Sequence, residues 1–306
     1  MNKLTKTVVG FVVLTLLFFF SCQKKVNNKQ DTIVEGKATI YVDESIFPII
    51  EDEQVVFETE YSAKLNLVSK SENEIVNSLL NDTAKIAVLT RNLSNKELKA
   101  FQAQKRFPRI TPFAMDAVAF INNKTTNDTL VALQDVIDFI NGKTVPTIKR
   151  LVFDNANSGT ARYLSEVSGM SVTSQKNVYS LKTNEEVIKY VAKNNGTVGV
   201  IGMNWILQPP LELQQYVDKV NVLAVKEKNK SQYFFPTQDN IASGNYPLAR
   251  HLYVINCQGY SGLGMGFASF IGGERGQRII LKSGLVPEHV PSRNIRIRNT
   301  ITKDKN

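Results

Sequence analysis

The residues best suited to chemistry lie in one strand–turn–helix segment near the middle of the chain. An apolar strand, Leu151–Phe153, runs through a polar turn into a helical stretch that begins around Gly159. The side-chain oxygen of Asn157 or Ser158 can cap that helix, whose free N–H groups and positive dipole end attract anions. Gly159 lets a ligand approach the backbone, and the hydroxyls of Ser158 and Thr160 can donate to oxyanion oxygens. The segment predicts an anion site, with an ordinary capped helix as the alternative.

Strands and helices alternate through the part of the chain before this turn. Apolar runs predict strands at Ala38–Val42, Lys64–Val68 and Ile86–Leu89. A helical pattern follows each of them, and this alternation indicates an α/β fold with a mostly parallel sheet. Ligands of such sheets bind beyond the carboxyl ends of the strands. Three of these ends supply further hydroxyl donors, on Ser45, Ser71 and Thr90.

The same alternation continues towards the end of the chain. Further strands are predicted within Ile110–Asn122, after Asp116, and at Val178–Leu181, Gly196–Ile201, Val220–Val225 and Ala249–Asn256. Further helices are predicted at Leu130–Phe139, Asn184–Lys193 and within Gly272–Gly284. The glycine-rich stretch Gly259–Gly266 does not fit the G-x-G-x-x-G pattern of dinucleotide sites, so a loop leading into the helix FASFI is expected.

The first 22 residues have the composition of an export signal. Lys3 and Lys6 precede the apolar run Val8–Phe20, which is too short to cross a bilayer core comfortably. The following Ser21 and Cys22 resemble the lipobox of bacterial lipoproteins, in which the new N-terminal cysteine receives lipid. Cys22 is therefore the expected lipidation site, with a plain signal peptide as the alternative. The predicted localisation is export with lipid attachment to the cell envelope.

Composition limits the function of the remainder. Of the 306 residues, 42% are hydrophobic, which is enough for a sizeable core of one or two domains. Residues 23–36 are polar and indicate a flexible tether between the lipid and the fold. The net charge of +9 is spread along the chain and helps to attract anions. Nucleic-acid binding is not expected, because the protein is exported and its sequence contains no basic helix or aromatic–basic platform.

Cysteine and histidine content argues against metal and disulfide chemistry. Cys22 and Cys257 are the only cysteines, so lipidation of the first leaves no disulfide within the chain. Cys257 ends an apolar strand pattern and is expected to be a small buried residue. The two histidines, His251 and His289, are far apart, and no Cys or His pair has ligand spacing. No metal and no cofactor are therefore predicted.

Several segments, taken in chain order, resemble those of the substrate-binding proteins of phosphate ABC transporters, in the periplasmic binding protein type II superfamily. Asn157–Thr160 is similar to the S-G-T phosphate loop of that family, and Leu89–Ser94 resembles its segment after the third strand. Asn245–Tyr253, NYPLARHLY, is close to the Y-P-L-S-R-x-L-Y of the family and is the most specific match. Other matching motifs are Asp116–Asn122, Leu133–Lys143, Gly196–Ile201 and Gly276–Pro287. The resemblance extends from about Ala38 to Arg296.

The resemblance implies two α/β lobes, each a mostly parallel sheet flanked by helices, with the ligand cleft between them. Two crossover strands are expected near Met115–Ile121 and Val222–Lys226. Lobe 1 would comprise residues 37–117 and 226–306, and lobe 2 would comprise residues 118–225. The cleft would close on its ligand by hinge bending. Lobe 1 would contribute ligand residues Ser45, Ser71, Thr90 and Arg91, and lobe 2 Asn157, Ser158, Gly159 and Thr160.

The implied function is capture of inorganic phosphate or a similar oxyanion for an ABC transporter, without any catalysis. The expected partners are the anion, the transporter permease and, through the N-terminal lipid, the membrane. A monomer is expected. The affinity for the anion would come from many N–H and O–H donors in a dehydrated cleft.

Two positions depart from the family pattern. Many members have an arginine four residues before the S-G-T serine, where this chain has Asp154. Some have an aspartate after the third strand that accepts the proton of a protonated phosphate, and here that position is Arg91. Our hypothesis is that Arg91 supplies the cation, through its planar fork of donors, while Asp154 faces Arg91 or caps its own turn. Asp116 could replace the missing proton acceptor, or it could be an ordinary residue at the end of an element.

Other readings stay open at this stage. The exchanged charges could mark a sensor or structural lipoprotein that keeps the binding fold without transport, or a binder of sulfate, molybdate or tungstate. A serine hydrolase with Ser158 as its nucleophile is disfavoured, because A-N-S-G-T is not G-x-S-x-G. A catalytic triad would also require His251 or His289, and both lie in stretches that the fold explains.

Overall fold

The structure is a computed structural model in which residues 30–172 and 176–292 are described. The predicted signal peptide with Cys22, and residues 23–29 of the predicted tether, lie outside the described residues. Within the described ranges, no helix combines the length and the apolar character that spanning a membrane requires.

Strands and helices alternate along the described residues, as the sequence predicts. The strands are β1 (Glu35–Asp43), β2 (Ser62–Lys70), β3 (Ile86–Leu89), β4 (Arg109–Asn123), β5 (Leu130–Ala132), β6 (Arg150–Phe153), β7 (Val178–Ser180), β8 (Thr197–Gly202), β9 (Val220–Val222), β10 (Ala224–Lys226), β11 (Ala249–Asn256) and β12 (Val286–Pro287). The helices are α1 (Phe47–Glu60), α2 (Glu72–Leu80), α3 (Asn95–Ala103), α4 (Leu133–Ile140), α5 (Gly159–Ser168), α6 (Asn184–Lys193), α7 (Asn204–Leu207), α8 (Gln214–Val217), α9 (Gln238–Ala242), α10 (Leu263–Ile271) and α11 (Glu274–Lys282). Short 3-10 helices lie at Glu44–Ile46 and Lys124–Thr126.

Two groups of strands share β4. In lobe 1 the order is β2-β1-β3-β11-β4, with β1 parallel to β2 and β3, and β11 antiparallel to β3 and β4. In lobe 2 the order is β4-β8-β6-β7, with β6 parallel to β7 and β8. Residues 109–117 of β4 pair with β11, and residues 118–121 pair with β8. The predicted two-lobed α/β fold is therefore confirmed, while the residue limits of the lobes stay a prediction.

Strand β4 begins earlier than its sequence predicts. The prediction placed the strand after Asp116, whereas pairing with β11 starts at Arg109. Proline has no N–H to donate to a ladder, and the register of β11 shifts opposite Pro112, between Leu252 and Tyr253. Because of this irregularity, the first half of the strand could not be recognised from the periodicity of its apolar residues.

The sheet of lobe 1 is covered on both faces. On one face Phe57 of α1 packs edge-on against Phe267 of α10, with ring centroids 5.6 Å apart. On the other face, Leu79 of α2 and Phe101 of α3 are fully buried. Lobe 2 has a core of its own around Phe120 and its neighbours. Strands buried on both faces appear in sequence as continuous apolar runs, which is why most of them could be predicted.

Three predicted elements differ from the structure because their partners are remote in sequence. The expected helix Leu130–Phe139 begins as strand β5, and α4 starts only at Leu133, because β5 pairs with β10. The expected strand Val220–Val225 is divided into β9, which pairs with β4, and β10. Helix α10 includes part of the glycine-rich stretch and starts at Leu263, whose N–H donates to the carboxylate of Asp31.

Cys257, which was expected to be buried, is only half-buried at the end of β11. Burial nevertheless raises the pKa of its thiol to about 11, so the thiol stays protonated at neutral pH.

Candidate functional site

Four loops meet at the first turn of α5, three from lobe 1 and one from lobe 2. A Cβ atom added at Gly159 would lie 2.3 Å from Oγ1 of Thr90 and 2.6 Å from Oδ2 of Asp43. The same atom would lie 2.9 Å from Oε2 of Glu72. Only glycine permits this approach of the α5 backbone to the ends of β1 and β3 and the start of α2. The structure therefore brings together the strand-end loops that the sequence singled out.

The turn before α5 offers unused hydrogen-bond donors. Ser158 caps the helix: its Oγ accepts the N–H of Ala161 at 3.1 Å and donates to Asp154 at 2.5 Å. Within the described residues, the amides of Gly159 and Thr160 have no hydrogen-bond acceptor, and the buried hydroxyl of Thr160 has no partner. Unpaired amides at the positive end of a ten-residue helix are suited to bind an anion.

The other predicted ligand residues are engaged differently. Three predicted hydroxyl residues are buried: Ser45, Ser71 and Thr90. The first donates to Asp43 at 2.7 Å, the second donates to Glu74 at 2.6 Å in a capping box, and the third is 3.4 Å from Glu72. These hydroxyls face carboxylates of their own lobe, so they would have to reorient to donate to a ligand. Asn157 is exposed at the rim of the turn.

Asp43, at the end of β1, is a site residue that the sequence reasoning missed. Its Oδ1 accepts the N–H of Ser45 at 2.9 Å, while its Oδ2 is buried beside Gly159 without a partner. Burial raises the pKa of this carboxyl, although the charge of Arg250 opposes the shift. Lobe 1 therefore presents a free acceptor to any ligand at the α5 turn. The signal in the sequence was its place at the carboxyl end of a parallel strand.

Arg250, on β11, is the buried cation of this site and was also missed. Its Nη2 donates to Oδ2 of Asp116 at 2.9 Å and to Oγ of Ser45 at 3.1 Å, while its Nη1 is buried without a partner. Asp116 on β4 lies directly opposite Arg250 in the antiparallel register. The signal available in the sequence was a pair of opposite charges, Asp116 and Arg250, each next to or within an apolar strand segment. Arg250 engages only Oδ2 of Asp116, and Oδ1 of Asp116 is buried without a hydrogen-bond partner, so its suggested role as a ligand acceptor stays a prediction.

Arg91, the cation of our hypothesis, is neutralised within lobe 1. Its Nε donates to Glu72 at 2.7 Å, and its Nη1 and Nη2 each donate to Glu97 at 2.8 Å. An anion would have to compete with both carboxylates for this guanidinium. The geometry therefore favours Arg250 over Arg91 as the cation for a ligand.

Asp154 caps its own turn and does not face Arg91. Its two oxygens accept from the hydroxyl of Ser158 and, at 3.1 Å, from the side-chain amide of Asn184. Burial raises the pKa of Asp154 to about 7. Asn184 also donates from its main chain and its side chain to Glu44 of lobe 1, at 3.0 Å and 2.5 Å, and burial raises the pKa of Glu44 to about 8. This unpredicted amide links two carboxyl groups across the cleft.

Carboxyl groups outnumber guanidinium groups at the site, but burial favours the protonated form of Glu44 and Asp154. The carboxyl groups are Asp43, Glu44, Glu72, Asp116 and Asp154, and the guanidinium groups are Arg91, Arg162 and Arg250. In the part of the chain that is described, no His, Cys, Asp or Glu residues are grouped in a way that could hold a metal ion. The arrangement suits an oxyanion that accepts from lobe 2 and donates a proton of its own to lobe 1.

The family described as "PBP superfamily domain" matches residues 27–275. The chain belongs to the PBP superfamily. The phosphate-binding protein PstS of Borreliella burgdorferi is 23% identical over 301 residues, covering 92% of this chain and 98% of that protein. The phosphate-binding protein PstS of Pseudomonas aeruginosa PAO1 is 22% identical over 235 residues, covering 69% of this chain and 70% of that protein.

Solved structures agree on the fold. A phosphate ABC transporter substrate-binding protein from Clostridium perfringens with bound phosphate is 19% identical, with a TM-score of 0.70, covering 83% of this chain and 100% of that one. An ABC-type phosphate transport receptor from Vibrio cholerae is 18% identical, with a TM-score of 0.62, and the match covers 82% of this chain and 100% of that one. These findings confirm the resemblance read from the motifs. Family membership also confirms that the chain is a solute-binding protein and not an enzyme.

Proposed function

We propose that this protein is an exported, lipid-anchored binding protein that captures inorganic phosphate for an ABC transporter. The observation that most supports this is the pair of unused amides at Gly159 and Thr160, which face buried loops of the opposite lobe. Two similar proteins are named phosphate-binding protein PstS, and one similar structure contains bound phosphate. The geometry and the relatives thus favour the same ligand.

In this proposal the two lobes divide the recognition of phosphate. The amides of Gly159 and Thr160 and the Thr160 hydroxyl donate to its oxygens, and the unused Nη1 of Arg250 provides the positive charge. Hydrogen bonds to charged groups contribute about 1.5–3 kcal/mol each, so a few such donors suffice for tight binding.

Selectivity follows from the free acceptor on lobe 1. Oδ2 of Asp43 can accept a hydrogen bond from a phosphate hydroxyl, because phosphate is partly protonated near neutral pH. Sulfate has no proton to share, so its oxygen would be held against an unpaired carboxylate. The same repulsion applies to molybdate and tungstate. We therefore expect phosphate to be preferred over these dianions.

Isothermal titration of the purified protein with phosphate, sulfate, molybdate and tungstate tests the proposal. We expect phosphate to bind about 100-fold more tightly than any of the other three, a difference of about 2.7 kcal/mol. A folded protein that binds none of the four anions would contradict it. Equal affinities for phosphate and sulfate would contradict the role of Asp43 while leaving anion capture standing.

A second candidate function is a sensor or structural lipoprotein that no longer transports. The observation that favours it is that Arg91 is fully engaged by Glu72 and Glu97 and that carboxyl groups outnumber guanidinium groups at the site. The same titration separates the two candidates, since this one predicts no binding of any small oxyanion by the folded protein.

The lipid anchor and the partners belong to the proposal as well. Cys22 would bear the lipid, residues 23–36 would form the tether, and a monomer would deliver phosphate to the permease. Labelling of cells with radioactive palmitate should mark the wild-type protein and not Cys22→Ser. The variant should also leave the membrane fraction, and a variant that stays in the membranes and keeps its label would contradict the anchor.

A further inference from the structure

The first turn of α5 is already faced by carboxylates of the chain itself. Glu72, the first residue of α2, is fully buried, and its Oε2 would be 2.9 Å from a Cβ atom at Gly159. Oδ2 of Asp43 lies on the same side of Gly159. A carboxylate at the unpaired end of a helix takes the position in which a bound anion is expected.

Both lobes hold Glu72 in this position. Its Oε1 accepts from Nε of Arg91 in lobe 1 at 2.7 Å and from Nε of Arg162 on α5 in lobe 2 at 2.8 Å. Next to it, the main-chain N–H of Asn73 donates to the carbonyl of Asn157 across the cleft, at 3.2 Å. A buried carboxylate is tolerated when it is paired in this way, and removal of its charge breaks the pairing.

We propose that Glu72 is an intramolecular competitor for the anion site, because its carboxylate occupies the entrance to the α5 turn. Its ion pair with Arg162 also links the two lobes, and we call this Glu72–Arg162 pair the clasp. This inference rests on the proposed capture of phosphate, because it concerns the regulation of that same site. An incoming oxyanion must displace Glu72, since two negative charges within a few ångströms repel each other in a buried site. Binding therefore exchanges an internal anion for an external one.

The exchange has two separable consequences. The Glu72–Arg162 pair favours closure of the ligand-free protein, so its loss should populate an open form. The charge of Glu72 also opposes the ligand, so its loss should tighten binding. Glu72→Gln retains the size of the side chain and removes only the charge.

The test uses the purified full chain, small-angle X-ray scattering without phosphate, and calorimetry with inorganic phosphate. We expect Glu72→Gln to have a larger radius of gyration than the wild type and to bind phosphate about tenfold more tightly. Glu166→Gln is the matched control, because Glu166 also pairs with Arg162, at 2.7 Å, but is exposed. It should change neither measurement.

The proposal is overturned if the wild type binds phosphate and Glu72→Gln binds it no more tightly, or if the scattering of Glu72→Gln is unchanged. If neither protein binds phosphate but the variant still opens, the proposed function fails and the clasp stands. Should Glu72→Gln not fold, Arg162→Gln removes the lobe 2 half of the clasp. Unchanged scattering of that variant would overturn the clasp.

Discussion

The two walls of the cleft differ in what they offer to a ligand. The α5 turn of lobe 2 presents donors without partners, on the amides of Gly159 and Thr160 and on the Thr160 hydroxyl. The wall of lobe 1 presents carboxylates, of which Glu72 is paired and Asp43 keeps one oxygen free. The cleft therefore has a donor side in lobe 2 and an acceptor side in lobe 1, where the free oxygen of Asp43 lies in the same lobe as the buried guanidinium of Arg250. Such a division favours a ligand that both accepts and donates hydrogen bonds.

Loss of Arg250, the buried cation of the site, should have the largest effect on stability and on phosphate binding. Arg250→Gln leaves Asp116 as an unpaired buried charge, and breaking such a pair costs about 3–5 kcal/mol of stability. We expect lower stability in urea unfolding and no phosphate binding. The double variant Arg250→Gln with Asp116→Asn should recover stability without binding. Recovery of binding in the double variant would remove Arg250 from the site.

The next largest effect should follow from a side chain at the closest contact of the two walls. In Gly159→Ala the new methyl group would lie 2.3 Å from Oγ1 of Thr90 and 2.6 Å from Oδ2 of Asp43, so either these side chains must shift or the lobes must separate. We expect phosphate to bind at least about 100-fold more weakly in calorimetry, or about 2.7 kcal/mol, with little change in the melting temperature. An unchanged affinity would show that the ligand does not require this approach.

Asp154, the buried carboxyl group on the lobe 2 wall, should have a pH-dependent effect on the free energy of unfolding. The pKa of Asp154 is raised from 3.8 to about 7, so the folded protein binds this proton more tightly than the unfolded chain does. This residue therefore makes the free energy of unfolding fall as pH rises from about 4 to about 7, with no further change above. Asp154→Asn should gain stability relative to the wild type between pH 4 and pH 8, on the order of a few kcal/mol.

Urea unfolding of Asp154→Asn and of the wild type at pH 4 and at pH 8 measures this gain in stability. Taking the difference between the two pH values cancels any pH-independent cost of the new amide. Asp218→Asn, at an exposed position, serves as the control for the replacement of a carboxyl group by an amide. If Asp154→Asn follows the wild-type curve, Asp154 is ionised in the folded protein and the donor side contains a full negative charge.

The smallest effect is expected at Arg91, the cation favoured by sequence reasoning. Because its guanidinium is occupied by Glu72 and Glu97, Arg91→Ala should weaken phosphate binding by less than about 1.5 kcal/mol. Calorimetry on the variant measures this loss. A greater loss of affinity would show that Arg91 contributes to phosphate binding, and that Glu72 and Glu97 do not fully neutralise its charge.

Elements with a local signature were predictable from the sequence. The strand IAVL at Ile86–Leu89 and the helix Asn184–Lys193 have the predicted bounds, because an apolar run and an amphipathic period need no remote partner. The Ser71–Glu74 capping box was predictable for the same reason. In contrast, the division of Val220–Val225 depends on pairing with β4 and β5, which no local pattern encodes.

The site was predictable in its loops and less so in its charges. The turn around Ser158 and the strand-end hydroxyls were found because capping residues and strand ends are visible in sequence. Side-chain pairing across the fold is not visible there. Arg91 is neutralised by Glu97, six residues away, and Arg250 is placed by Asp116, which is 134 residues away. The assignment of the cation therefore required the structure.

Discrimination between phosphate and sulfate by Asp43→Asn tests the division of the cleft most directly. The variant removes the free acceptor of lobe 1 and leaves the donors of the α5 turn in place. We predict that the roughly 100-fold preference of the wild type for phosphate falls below about tenfold, mainly because sulfate binds more tightly to the variant. A variant that keeps the full preference for phosphate in calorimetry would contradict the account.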